Sequence, residues 1–165
     1  MFHINVQYAT DKSLAPEASL IRKWAKKALA EKILRTAQAK PLITKSAEMT
    51  IRIVDKKESA KLNANYRHKN KPTNVLSFPF DLPKEAFKNS PLLGDIIICA
   101  EVVNQEAQEQ HKSPHAHWAH MVIHGVFHLL GFDHQTKRDA KVMESLEIKI
   151  MQTLGFANPY EEINE

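Results

Sequence analysis

Three histidines at spacings of four and six, with one glycine between the second and the third, constrain this chain more than any other feature. His124 and His128 stand four residues apart in His124-Gly125-Val126-Phe127-His128-Leu129-Leu130-Gly131-Phe132-Asp133-His134. A helix puts both imidazoles on one face, about a turn apart. Gly131 follows where that helix must stop, because glycine enters the left-handed region without steric cost. A chain that turns there brings His134 back toward the first two. Three neutral imidazole nitrogens with an open fourth position describe a catalytic zinc site, since structural zinc sites close all four positions. The spacing therefore predicts one zinc per chain, held by His124, His128 and His134.

Other histidines compete for the role. His117, His120 and His124 also follow helical spacing, as do His120, His124 and His128. Residues eight apart in a helix lie about 12 Å apart along its axis, too far to share one ion comfortably. His120 is therefore expected beside the metal, facing substrate or solvated, and His115 and His117 are expected at the surface. Asp133 has three readings: it orients a ligand imidazole through its other N–H, acts as a general base, or only turns the chain. Orientation is the expectation. The zinc-protease pattern H-E-x-x-H-x-x-G-x-x-H shares the three histidines and the glycine. Position 125 is Gly, however, where those enzymes keep the glutamate that activates water. A metalloprotease-like hydrolase is thus the weaker enzyme reading. Phosphodiester cleavage leans more on cations that stabilise the phosphate, and Arg67 is the candidate for that task.

The remaining chain supplies alternating strands and amphipathic helices. Phe2, Ile4, Val6 and Tyr8 alternate with polar residues, and Met49, Ile51 and Ile53 do the same, which is the period of half-buried strands. Pro16 suits the first turn of a helix with Leu20, Trp24, Ala28 and Leu29 as its inner stripe. Pro41 interrupts. Asp55 and Glu58 read as a cap for a helix that runs to about Tyr66. The cationic loop of Arg67, Lys69 and Lys71 precedes a strand that Pro79 confines to a sheet edge. Residues 83–92 read as loop. The apolar run that ends at Cys99 predicts an interior strand from Gly94. Helices are expected over 101–111, from Ser113 and Pro114 through the histidines, and from Thr136 along Met143, Leu146, Ile150 and Leu154. This order predicts a single α+β domain over residues 1–165: one mixed sheet of about four strands, covered by helices, with a zincin-like metal helix. Residues 156–165 are expected to fray.

Composition sharpens the choice of partner. Residues 1–92 carry 18 Lys+Arg against 8 Asp+Glu, while residues 93–165 carry 5 against 11. A basic part outside the histidine stretch, together with a divalent ion, suits a polyanionic substrate. Cys99 is the single cysteine, which excludes an intrachain disulfide and a multi-cysteine zinc site. It is expected as a small buried hydrophobe. No run approaches the ~18 apolar residues of a membrane span, and the N-terminus does not resemble a signal peptide. A cytoplasmic protein without membrane contact is the expectation.

The same residues carry a family resemblance. The stretch from His124 to His134 is similar to the H-G-x-x-H-L-x-G-x-D-H signature of the YbeY family of bacterial endoribonucleases. Tyr66-Arg67 through Lys71-Pro72-Thr73-Asn74-Val75-Leu76-Ser77-Phe78-Pro79 resembles that family's second motif, and Leu93-Gly94-Asp95-Ile96 its third. The chain departs at Asn74, where the family usually has Asp, and at Phe132, where it usually has Tyr. The resemblance implies zinc on His124, His128 and His134, with Arg67 as the functional arginine. It implies a single-strand-specific endoribonuclease for small-subunit (16S) ribosomal RNA maturation and ribosome quality control, with ribosomal or assembly proteins as further partners. Asp133, His120, Lys69, Lys71 and Ser77 are expected to support the ligands or face the substrate. The reading from a different class is a zinc-stabilised ribosome-assembly factor that binds RNA without cutting it.

Overall fold

The computed structural model describes residues 2–30, 47–80, 92–133 and 135–161. Pro41, His134 and residues 83–91 of the expected loop lie outside the described residues. Four strands are described: β1 (Phe2–Tyr8), β2 (Ala47–Val54), β3 (Val75–Pro79) and β4 (Leu92–Cys99). Five α-helices accompany them: α1 (Ala18–Leu29), α2 (Lys56–Arg67), α3 (Ala100–Glu109), α4 (Pro114–Leu129) and α5 (Lys137–Thr153). The strands make one mixed sheet in the order β1-β2-β4-β3. β1 runs parallel to β2 and β2 to β4, whereas β3 is antiparallel to β4.

Each strand sits where its side chains require. The residues from Ile96 to Cys99 are all buried, as expected of a strand with neighbours on both sides and helices on both faces. β3 ends in Pro79 and takes the edge, where a missing N–H removes no ladder bond. Gly94 has φ +140°, and a Cβ there would lie 2.2 Å from the Phe78 carbonyl oxygen. Only glycine lets the end of β3 close against β4 at that point.

The larger core lies on the sheet face covered by α1 and α4, with α5 packed on α4, and has Trp24, Ile51, Ile96, Phe127 and Ile150 among its members. The opposite face carries a smaller cluster of Val54, Leu76, Ile97 and Cys99, against which Leu62 of α2 packs. Helix α4 is buried around most of its circumference. That explains its continuous apolar composition in place of a single stripe. Among the described residues, no helix is long and apolar enough to cross a membrane.

Two expectations need correction. His117 is not at the surface: it is 3 % exposed, and its Nε2 lies 3.0 Å from Glu106 Oε1. The carboxylate of α3 meets the helical position that apolar neighbours pull inward. The tail, expected to fray from 156, instead packs back through residue 161. Pro159 is buried, the Lys112 ammonium donates to its carbonyl at 2.5 Å, and the Tyr160 hydroxyl donates to Glu147. These bonds replace the water that an unattached tail would need.

Candidate metal centre

Helix α4 is fixed at both ends by local chemistry. Ser113 Oγ accepts from the Ala116 N–H at 3.2 Å, and Pro114 occupies the first turn. At the other end Gly131 has φ +97°. The Phe132 N–H donates to the Phe127 carbonyl at 3.0 Å and the Gly131 N–H to His128 at 3.1 Å. This is the Schellman pattern, completed by an edge-on contact of Phe127 and Phe132 with centroids 5.5 Å apart. The helix stop predicted at Gly131 is therefore present, and it turns the chain into Asp133.

His124 and His128 meet as the spacing requires. Their Nε2 atoms are 3.1 Å apart. Two tetrahedral zinc ligands at 2.0–2.1 Å from the ion stand about 3.3–3.4 Å from each other, so the pair fits one shared metal. On the other side of the His124 ring, Nδ1 lies 2.5 Å from Glu147 Oε1. Glu147, from α5, is fully buried. Burial pushes its carboxyl upward, but hydrogen bonds from His120 and His124 and their charge outweigh burial and bring it to about 2. An ionised carboxylate only accepts. A neutral His124 that donates from Nδ1 to this carboxylate would turn its Nε2 lone pair to a ligand role on the His128 side.

His120, His124 and Glu147 also form a group whose ligating atoms lie within 4.8 Å of one another and could hold a metal ion. Its geometry favours hydrogen bonding. The 2.5 Å contact of Glu147 with His124 leaves no room for an ion between them. Glu147 further accepts from the Tyr160 hydroxyl and lies 3.4 Å from His120 Nε2. Burial holds His120 below the usual histidine range despite the nearby carboxylate, and burial followed by the Glu147 charge raises the Tyr160 phenol. His120 is thus not solvated: it is 6 % exposed, outside the cavity lining, and braces the carboxylate behind His124.

The open side of the histidine pair is a cavity of about 720 Å³. Its walls are Tyr66 and Arg67 at the end of α2, the length of β3, His124 and His128, and the turn through Asp133. Arg67 is exposed, and no carboxylate among the described residues pairs with it. The end of α2 is held by its own polar residues. Asn63 Nδ2 donates to the Lys71 carbonyl at 2.8 Å, and Ser59 Oγ both donates to Thr73 O and accepts from Thr73 N at 3.0 Å. His68 stops the helix with φ 59°, a left-handed conformation that costs a non-glycine residue roughly 1–2 kcal/mol. Lys69 and Lys71 are exposed on this loop and outside the cavity lining. Ser77 lines the cavity, but its hydroxyl donates to the Gly125 carbonyl at 3.0 Å and ties β3 to α4.

Position 125 also settles the comparison with zinc proteases. A Cβ on Gly125 would meet Ile96 Cγ2 at 2.8 Å and Val75 Cγ2 at 3.3 Å. The glycine lets α4 lie directly on the sheet, so a catalytic glutamate does not fit there.

The model of the family described as Endoribonuclease YbeY matches residues 13–155. The chain belongs to the YbeY family. A curated Endoribonuclease YbeY from Nitrosococcus oceani is 46% identical over 160 residues, which is 97% of this chain and 97% of that one. The solution structure of a Thermotoga maritima protein superposes with a TM-score of 0.54 at 19% identity, covering 98% of this chain and 99% of the other. That likeness extends the fold. Within this YbeY-family chain, sequence reasoning missed Glu147 and Tyr160. A signal existed for Glu147: it falls between Met143 and Ile150 on the inner stripe of α5, where a charge has to have a buried partner. Nothing local distinguished Tyr160.

Proposed function

We propose that the chain is a zinc-dependent, single-strand-specific endoribonuclease that acts in the cytoplasm on small-subunit ribosomal RNA, within one domain spanning residues 1–165. Membership of the YbeY endoribonuclease family supports a hydrolytic nuclease over an RNA-binding assembly factor that does not cut. The observation that carries the site is the convergence of His124 and His128 Nε2 atoms at 3.1 Å on a cavity that also holds Arg67. His124, His128 and His134 would hold the zinc, and all-imidazole donors suit that ion. A bound zinc supplies Lewis acidity toward a phosphate oxygen and lowers the pKa of coordinated water.

The residues of the chain do the rest. Glu147 keeps His124 in the tautomer that exposes Nε2. Arg67 holds two phosphate oxygens with its planar guanidinium and stays charged as negative charge grows in the transition state. Asp133, on the cavity wall, would orient a ligand imidazole through its other N–H. Lys69 and Lys71, exposed beyond the cavity, attract the flanking RNA backbone. Ribosomal or assembly proteins would then bring the enzyme to its substrate.

The reading is tested with purified protein and a labelled single-stranded RNA. Cleavage should occur, stop on chelation and return with added zinc. A duplex of the same sequence should resist. Binding without cleavage under zinc saturation would support the non-catalytic assembly factor instead.

A further inference from the structure

The cavity contains an aromatic ring that the metal, its ligands and Arg67 do not use. Tyr66 is 65 % exposed, an unusual state for a large ring beside a catalytic cavity. It is not loosely held. Its ring meets Phe78 in a T-shaped contact, with centroids 4.7 Å apart and planes at 62°. Phe78 is itself packed against the smaller core of Leu76, Ile97 and Cys99. Tyr66 is therefore a fixed, open aromatic surface one residue from the phosphate-binding arginine.

The course of the cavity shows what could lie on it. β3 is an edge strand, and the cavity is lined by side chains from both of its faces. Val75 and Ser77 lie on the α4 side, while Leu76 and Phe78 lie on the α2 side. The cavity thus wraps the open edge, from Tyr66 across β3 to His124 and His128. The Cys99 N–H bonds Asn74 O and the Phe80 N–H bonds Leu93 O. Antiparallel pairs alternate, so the N–H and C=O of Ser77 turn away from β4 toward that edge. An extended strand laid there has a ring, the donor and acceptor of Ser77, a guanidinium and the histidine pair along the same cavity. A paired base is already stacked on both faces and cannot use such a ring, whereas an unpaired base can.

We infer that Tyr66, seated on Phe78, is the stacking platform for one unpaired base flanking the scissile phosphate, and that this contact selects single-stranded RNA. The inference rests on the endoribonuclease reading. Stacking needs the ring and not the hydroxyl, so Tyr66→Phe should behave as wild type.

The test is a double-mutant cycle with the zinc-loaded protein and a short RNA carrying an abasic nucleotide at each position in turn. In wild type one position near the cut should show weakened binding by roughly 5–100-fold, the scale of one lost base–aromatic stack. Tyr66→Ala should bind the intact RNA that much more weakly and be indifferent to the abasic nucleotide at that position, with zinc content and melting temperature unchanged. Wild-type affinity in Tyr66→Ala, loss in Tyr66→Phe equal to that in Tyr66→Ala, or an abasic penalty that persists in Tyr66→Ala would each overturn the platform. If wild-type protein binds RNA but never cuts it, the endoribonuclease reading fails, and the platform falls with it as a catalytic subsite. If wild type cuts and the cycle is additive, only the platform fails.

Discussion

Along α4, His117 and His120 are buried against carboxylates, whereas His124 and His128 each turn a nitrogen toward an open cavity. All four share one helix and compatible spacings, so residue type and periodicity do not separate them. Depth and partner do. The deeper pair has Glu106 and Glu147 within hydrogen-bond reach at 3.0 and 3.4 Å, and the outer pair has the cavity and Arg67. His124 belongs to both regions, with Nδ1 on the buried carboxylate and Nε2 on the open side. A helix can thus carry ligands and their support together, provided that one ring spans the boundary.

Breaking the outer region should have the largest effect. His128→Ala is expected to lose nearly all bound zinc and to cut RNA at least 10³-fold more slowly, whereas His120→Ala should retain zinc; elemental analysis beside single-turnover kinetics checks both. This scale follows from removing a first ligand compared with removing a supporting contact. Full zinc in His128→Ala together with depletion in His120→Ala would reverse the assignment of the two regions. Arg67→Ala should come next. It should keep its zinc and its melting temperature while the single-turnover rate falls roughly 10²–10³-fold.

Sharpening the boundary calls for Glu147→Gln. The amide keeps the size and one acceptor but loses the charge behind His124, and zinc affinity should fall roughly 10–100-fold in a chelator competition. Unchanged affinity would make Glu147 a packing residue only. The smallest effect is expected at Glu106. Burial pushes its carboxyl up, but hydrogen bonds from His117 and Asn74 outweigh that and hold it below the usual 4.5. A carboxyl depressed on folding contributes stability above its unfolded value, which is lost as pH falls through the folded one. Glu106→Gln should therefore be less stable than wild type at neutral pH. Denaturant titrations should show the gap narrowing below about pH 4.5.

These pairings also show where the sequence was informative. Caps at Asp55, Ser113 and Thr136 form with the N–H groups three residues on, because a cap is decided within one turn. The edge position of β3 and the interior position of β4 followed from a proline and from an uninterrupted apolar run, again local properties. The helix stop at Gly131 was legible for the same reason. Glu147 lies 23 residues from His124 and Tyr160 lies 40 from His120. Their contacts exist only after α5 and the tail have packed on α4, and no local period encodes them. His117 was misjudged on the same account, since its partner Glu106 comes from another helix. Gly125 looked like a missing base until the sheet supplied the reason: Ile96 occupies the space a side chain would need.

Whether zinc sits on the open side of His124 is decided by one crystallographic measurement. An anomalous difference map collected at the zinc edge from zinc-loaded crystals should show a single strong peak within bonding distance of His124 Nε2 and His128 Nε2, facing Arg67 across the cavity. A peak between His120 Nε2, His124 Nδ1 and Glu147 would instead make the buried group the metal site and leave the open side of His124 without zinc.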